Sequence, residues 1–145
     1  MSNKLFIKER LVKGLMELDE KKIVAGVLIK CIKTGNVFLL LRNDKTPTWA
    51  LVSGTIEKGE NVLDGLKREI HEELFLQANI IDFKFIGSEQ IPGRNMVFNY
   101  YQGFCKNEFK PILDHENLNY MWTDLNHLPS PLYAGLLEKI KEILK

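Results

Sequence analysis

Short apolar runs bounded by polar or glycine-containing turns recur along the chain, and they predict a set of buried strands. Two of these runs, Ile23–Ile32 and Val37–Leu41, are rich in Val, Ile and Leu and flank the turn sequence Thr34-Gly35-Asn36. They are therefore predicted to form a hairpin. The same reasoning predicts four further strands, over Trp49–Val52, Ile80–Ile86, Met96–Phe104 and Leu118–Thr123.

Three other segments have apolar residues at the helical period, and they predict helices. Leu5–Asp19 is predicted to form one amphipathic helix, and a second is predicted from about Leu132 to Leu144. Between them, Asn61 is a suitable N-cap for a helix that runs to about Leu74, with Asp64 adding negative charge to its first turn. Strands flanked by a few helices, without repeats, predict a mixed α/β fold.

The middle helix is predicted to carry two different faces. Its apolar positions fall on one side and are Leu63, Leu66, Ile70 and Leu74. Three carboxylates, Glu69, Glu72 and Glu73, are spaced i, i+3 and i+4 and therefore gather on the neighbouring side. We expect the apolar face to build the core and the acidic face to be available for chemistry.

Length and composition indicate one globular domain. The chain has 145 residues, of which 45% are hydrophobic and 27% are charged, so we expect a single domain over 1–145 with residues 1–20 as an N-terminal helical extension. A net charge of +1, without charged blocks, argues against binding to long nucleic acid or to a membrane surface and favours a small ligand.

The sequence also bears on cellular location. No stretch is apolar enough for a signal peptide or a membrane span, which predicts a cytoplasmic protein. Cys31 and Cys105 lie in separate strand-like runs, which favours reduced core thiols over a disulfide or a zinc site.

The acidic face has two interpretations. Neighbouring carboxylates on a helix repel by about 0.2–0.5 kcal/mol, and a solvated acidic face is the ordinary outcome. A hard divalent cation such as Mg²⁺ or Mn²⁺ would reverse that repulsion, because it prefers oxygen ligands. Glu57 and Glu60 in the preceding loop are near enough in sequence to join such a site, and Arg68 is suited to fixing one carboxylate by a bidentate bond.

The spacing of these residues resembles the Nudix box, GX5EX7REUXEEXGU. Gly54 is followed after five residues by Glu60, and after seven more by Arg68-Glu69-Ile70-His71-Glu72-Glu73, with the apolar Leu76 closing the match. Phe75 replaces the glycine that ends the helix in the family, which predicts that another residue, such as Asn79, adopts the positive φ. Val52-Ser53 also replaces the usual Pro-Gly.

The resemblance implies an α/β/α sandwich with a mixed sheet that hydrolyses nucleoside diphosphates linked to another moiety, using Mg²⁺ or Mn²⁺. It implies metal ligands at Glu69, Glu72 and Glu73, with Glu57 as an additional ligand. Gly54 corresponds to the glycine that lets the loop approach the metal, and Arg68 to the arginine that orients a box glutamate. Glu73 is the first candidate for general base and Glu116 the second.

Four residues are candidates for contact with substrate: Gly54, Arg42, Arg94 and Tyr100. Gly54 adjoins the implied metal site, and Arg42 and Arg94 lie in or beside loops, where they either pair with phosphates or simply solubilise the surface. Phe98 and Tyr100 should share one face of their strand and Tyr101 the other. One face is expected to pack in the core, and an aromatic from the other is a candidate for stacking on a base.

Three functions remain in competition. The first is pyrophosphohydrolysis of a small nucleoside diphosphate derivative, with ADP-ribose or a dinucleoside polyphosphate preferred. The second is hydrolysis of a nucleoside triphosphate. The third is a non-catalytic module that senses nucleotides, and the retention of all box glutamates argues against it. The family resemblance also allows a homodimer.

Overall fold

The computed structural model describes residues 20–145, which form a mixed sheet and two α-helices. The strands of this part of the chain are β1 Lys22–Cys31, β2 Val37–Arg42, β3 Trp49–Ala50, β4 Val52–Thr55, β5 Asp82–Gln90, β6 Met96–Cys105 and β7 Asn117–Thr123. The helices are α1 Val62–Leu74 and α2 Leu136–Ile143, with a short 3₁₀ turn at Ala78–Ile80. The helix predicted over Leu5–Asp19 lies outside the described residues.

The central strand β1 changes partner along one of its edges. On its other edge it runs parallel to β6 over its whole length, from Lys22↔Met96 to Cys31↔Cys105, and β5 follows antiparallel to β6. On the changing edge, the end near Lys30 pairs with β2, whereas Val24–Val27 pair with β4. Because β2 continues to β3 and β7, the sheet divides at this point.

The two faces of the sheet bury separate cores, which confirms the predicted sandwich. One core joins α1 to the odd-numbered residues of β1; its members include Ala25, Val27, Ile29, Leu66 and Ile70. The other core joins α2 to the opposite face; its members include Leu28, Leu39, Leu136, Ile140 and Ile143. Alternation along the strand therefore assigns one face to each helix.

Helix α1 begins as predicted and ends differently. The Asn61 side chain accepts hydrogen bonds from the backbone N–H groups of Leu63 and Asp64, which confirms it as the N-cap. At the other end Phe75 itself adopts the left-handed conformation, with φ 56°, so the expectation that Asn79 would do so is wrong. The Phe75 side chain is 68% exposed, and the position therefore tolerates a bulky residue without a clash in the core.

Three predicted elements also need correction. The strand predicted over Trp49–Val52 divides at Leu51 into β3 and β4, because the two halves pair with different strands, β2 and β1. The strand predicted over Ile80–Ile86 starts two residues later and runs to Gln90, because Ala78–Ile80 closes into the 3₁₀ turn. The last helix starts at Leu136 and not near Leu132, because Gly135 has φ 79° and Leu132 forms an isolated bridge with Trp49.

The two cysteines are neighbours, although no sequence pattern links them. Cys31 and Cys105 occupy paired positions on the parallel strands β1 and β6, and both are buried free thiols. No helix in the described part of the chain is long and apolar enough to span a membrane.

Candidate functional site

Three carboxylates converge where the sheet divides. Glu69 and Glu73 lie one turn apart on α1, and Glu116 immediately precedes β7. Each offers an oxygen atom, and these atoms lie within 4.8 Å of one another. Glu73 is only 1% exposed, and neither of its oxygens receives a hydrogen bond from any residue between 20 and 145. A buried carboxylate without a donor is costly unless it binds a cation or a proton.

The electrostatics of the cluster show how strongly it needs a positive partner. Burial is the main cause that raises the pKa of Glu73 to about 9, and the nearby carboxyl groups of Glu116 and Glu69 act in the same direction. Burial also raises the pKa of Glu69, although Arg68 acts in the opposite direction. Without a cation, the cluster therefore retains a proton at neutral pH.

Arg68 lies beside the three carboxylates and donates hydrogen bonds to Glu60 and Glu69. Its Nε and Nη2 donate to the two oxygens of Glu60 at 2.8 and 3.0 Å, and its Nη1 donates to Glu69 at 3.2 Å. The Glu60 carboxylate also accepts from the backbone N–H of Glu57, which ties the loop to the helix. The hydrogen bond with Glu60 is the main cause that raises the pKa of Arg68 above its ordinary value. Arg68 thus contacts Glu69 directly, and its role as the arginine that orients a box glutamate stays a prediction.

Gly54 leaves the space through which Glu69 reaches the cavity. A Cβ at this position would collide with the side chain of Glu69. Gly54 does not have a positive φ, so the requirement for glycine is steric and not conformational.

A second glycine, Gly65, was missed by sequence reasoning. It lies inside α1, and a Cβ there would lie 2.6 Å from Oε1 of Glu60 and 2.7 Å from Cδ1 of Ile56. Its position was itself a signal, because glycine inside a helix costs about 1 kcal/mol relative to alanine. Gly65 therefore lowers the helix propensity of α1 but allows the loop that bears Glu60 to approach the helix.

Glu57 and Glu72 lie outside the group of three carboxylates. The Glu57 side chain is 72% exposed, with an oxygen 3.8 Å from Nη1 of Arg68. The Glu72 side chain is 54% exposed and accepts from the same nitrogen at 3.1 Å. Their assignment as metal ligands stays a prediction, whereas Glu116, which the resemblance ranked second as a base, lies inside the group.

A cavity of about 760 Å³ opens beside the carboxylates. All four predicted substrate contacts, Gly54, Arg42, Arg94 and Tyr100, line it together with Glu69 and Glu116. Phe98 and Tyr100 face this cavity whereas Tyr101 is buried in the α1 core, which confirms the predicted division between the two faces of the strand. Glu89 and Lys139 also line the cavity and were not singled out from the sequence.

Comparison with known proteins gives the same architecture. A family model described as the NUDIX domain matches residues 20–143. Among solved structures, an Ap4A hydrolase from C. elegans, in a binary complex, has a TM-score of 0.69 and 19% identity, over 85% of this chain and 95% of its own.

Two further solved structures are similar. A dihydroneopterin triphosphate pyrophosphohydrolase from E. coli has a TM-score of 0.61 and 22% identity, over 73% of this chain and 84% of its own. A MutT protein from Methanosarcina mazei Go1 has a TM-score of 0.67 and 22% identity, over 86% of this chain and 94% of its own. A search of curated proteins found no match. At such low identities the structural likeness shows the fold alone.

Proposed function

Since the chain belongs to the Nudix family, it is a hydrolase of pyrophosphate bonds, and we propose that it cleaves the diphosphate linkage of a small nucleoside diphosphate derivative with the help of a divalent metal ion. The observation that carries this proposal is the buried Glu73 carboxylate, without a donor, beside Glu69 and Glu116 at the wall of a nucleotide-sized cavity.

The donor set fits Mg²⁺ or Mn²⁺. Glu69, Glu73 and Glu116 supply hard carboxylate oxygens close together, and the two unsatisfied oxygens of Glu73 are the kind of atoms that such a cation neutralises. Glu72 and Glu57 are further candidates by family resemblance. A bound ion would neutralise charge on phosphate oxygens and make the attacking water more acidic.

The chain's own residues then have distinct tasks. We propose that Glu73, once ionised, accepts the proton of the attacking water, with Glu116 as the alternative base. Arg68 keeps Glu69 in place from its position between Glu60 and Glu72. Arg42 and Arg94 supply positive charge to the phosphates along the cavity wall.

Two substrate classes are candidates. One is a linked phosphate such as a dinucleoside polyphosphate, after which the similar C. elegans Ap4A hydrolase is named, or ADP-ribose. The other is a triphosphate, after which the similar E. coli dihydroneopterin triphosphate pyrophosphohydrolase is named. We prefer the linked diphosphates, and product analysis separates the two classes.

The test is hydrolysis of a panel of nucleotides by the purified protein with Mg²⁺ or Mn²⁺. The panel contains ADP-ribose, diadenosine polyphosphates and nucleoside triphosphates, with products separated by chromatography. Release of AMP from a linked diphosphate supports the first class, and release of pyrophosphate supports the second. Glu73→Gln should lower kcat at least about 100-fold. Glu138→Gln, an exposed carboxylate on α2, is the matched control and should leave kcat unchanged. Tight nucleotide binding without any product would instead indicate a sensor.

A further inference from the structure

The floor of the cavity crosses the sheet from the carboxylates to a second group of polar side chains, formed by Glu89, Tyr100 and Lys139. The strand register places Glu89, Phe98, Val24 and Thr55 in one row, on β5, β6, β1 and β4 in turn. Three strand spacings separate the ends of this row, which is about 14 Å. Thr55 follows Gly54 at the metal end, so Glu89 and Phe98 lie at the opposite end of the cavity.

Tyr100 is fully engaged within this distant end. The centroid of the Tyr100 ring lies 4.4 Å from the centroid of the Phe98 ring. The Nζ of Lys139 lies 4.2 Å from the centroid of the Tyr100 ring. The ring of Tyr100 is thus already engaged by both Phe98 and Lys139. Its hydroxyl donates to Oε1 of Glu89 at 2.8 Å. Tyr100 is therefore a positioning residue.

Phe98 is the neighbouring aromatic residue, and among residues 20–145 its one ring contact is with Tyr100. It lines the cavity and is only partly buried, and its ring lies across Gly26, where a Cβ would be 2.8 Å from Cε1 of the ring. The absence of a Cβ at Gly26 thus leaves room for the Phe98 ring to lie against the sheet. Stacking on such a platform is worth about 1–3 kcal/mol per base in other proteins.

Glu89 accepts two hydrogen bonds and keeps further acceptor capacity. Its Oε1 accepts from Tyr100 and its Oε2 accepts from Lys139 at 2.9 Å. A carboxylate has about four acceptor positions, so about two remain. The hydrogen bond from Lys139 is the main cause that lowers the pKa of Glu89, so this carboxylate accepts and does not donate at neutral pH.

We propose that this end of the cavity binds the base of the nucleotide, with Phe98 stacking on the ring and Glu89 accepting hydrogen bonds from an amino group on its edge. The inference rests on the proposed function for the presence of a nucleotide. It makes Glu89 a specificity residue that favours adenine, guanine or cytosine over bases without an amino group. A purely structural role, tying α2 to β5, is the competing explanation.

Binding of nucleoside monophosphates tests this directly, because they contain no anhydride bond to hydrolyse. Isothermal titration with Mg²⁺ present compares AMP, GMP and CMP with purine riboside 5′-monophosphate, which lacks the amino group. The wild-type protein should bind at least one amino-bearing nucleotide about tenfold more tightly than purine riboside 5′-monophosphate. The preferred nucleotide among the three identifies the base.

Three variants sharpen the result. Glu89→Gln should reduce the preference to about twofold or less, because its one acceptor oxygen is engaged by Lys139 and its NH2 group presents a donor to the amino group. Glu142→Gln is the matched control: Glu142 also accepts from Lys139, at 3.1 Å, but it does not line the cavity, and the preference should stay about tenfold. Phe98→Leu should weaken all four nucleotides about equally and leave binding of ribose 5-phosphate unchanged.

The outcomes separate the two proposals. Equal affinity of the wild-type protein for all four nucleotides, or an unchanged preference in Glu89→Gln, would overturn the inference and leave Glu89 as a structural link. A preference that disappears only in Glu89→Gln would support it even if the hydrolysis panel were silent. In that case the base site would stand and the proposed hydrolysis would fail.

Discussion

Glu73 shows how far a single residue departs from ordinary behaviour in this fold. A glutamate on the face of a helix is normally solvated, but this one is buried beside two other carboxylates. Its neighbours Ile70 and Leu74 belong to the core, and Glu73 is buried beside them. The cost is tolerable only if a proton or a cation is bound.

The raised pKa of Glu73 makes the stability of the metal-free protein depend on pH. The unfolded chain releases this proton near pH 4.5, whereas the folded protein keeps it to about pH 9. The folded state therefore binds more protons within this range, and the free energy of unfolding should fall as pH rises through it. Urea unfolding with a chelator, at several pH values between these limits, measures the slope. Glu73→Gln should flatten it, and an unchanged slope would show that another group is responsible.

Gly54 gives a second prediction for a single residue. Gly54→Ala adds a Cβ that displaces Glu69, so we expect kcat to fall at least about tenfold, with weaker activation by Mg²⁺. Gly87→Ala is the control, because a Cβ there meets open space. Metal titrations of activity for both variants provide the measurement. Equal activity of the two alanine variants would show that Glu69 need not pass Gly54.

Among the helices and strands, the features of α1 that depend on residues close in sequence could be predicted from the sequence. Asn61 as N-cap and the end of α1 near Leu74 were correct, because caps and helical periodicity act within a few residues. The left-handed Phe75 was missed because its side chain gave no such signal. Its conformation follows from the turn that the chain must make after Leu74, and the exposed ring does not oppose it.

The strained end of α1 can be relieved. A non-glycine residue in the left-handed region costs about 1 kcal/mol, so Phe75→Gly should raise the free energy of unfolding by about 0.5–1 kcal/mol. Phe75→Ala keeps the backbone penalty and removes the ring, which lies 5.9 Å from that of His71. Chemical denaturation of both variants separates the two effects. A Phe75→Gly protein no more stable than Phe75→Ala would mean that the strain is negligible.

At the scale of the whole molecule, the site is assembled from distant parts of the chain. Lys139 and Glu89 are 50 residues apart in sequence, and the row from Glu89 to Thr55 depends on the parallel pairing of β1 with β6. Neither the pairing nor the proximity of Cys31 to Cys105 has a local signal. The family resemblance could indicate the metal end of the cavity, but the distant end required the sheet order.

Metal binding should be visible as a stability change of the entire domain. A ligand that binds only the folded state at about 100 times its Kd adds about 2.7 kcal/mol to the free energy of unfolding. We therefore expect Mn²⁺ to raise the Tm of the wild-type protein and to raise that of Glu73→Gln much less. Calorimetry with Mn²⁺ and with a chelator provides the measurement. Equal shifts in both proteins would place the ion elsewhere.

Homodimer formation and a cytoplasmic location stay predictions of the sequence. The homodimer was expected from the family resemblance, and the predicted helix Leu5–Asp19 lies outside the described residues. Sedimentation of the full chain with and without residues 1–19 would determine the oligomeric state.

Glu69, Glu73 and Glu116 are proposed to hold together the metal ion that the hydrolase uses. The most direct test is an anomalous difference map from crystals of the full chain grown with Mn²⁺. We expect a peak in contact with carboxylate oxygens of all three residues. A peak coordinated by Glu57 and Glu72 without Glu73, or no peak near α1 in crystals of active protein, would contradict it.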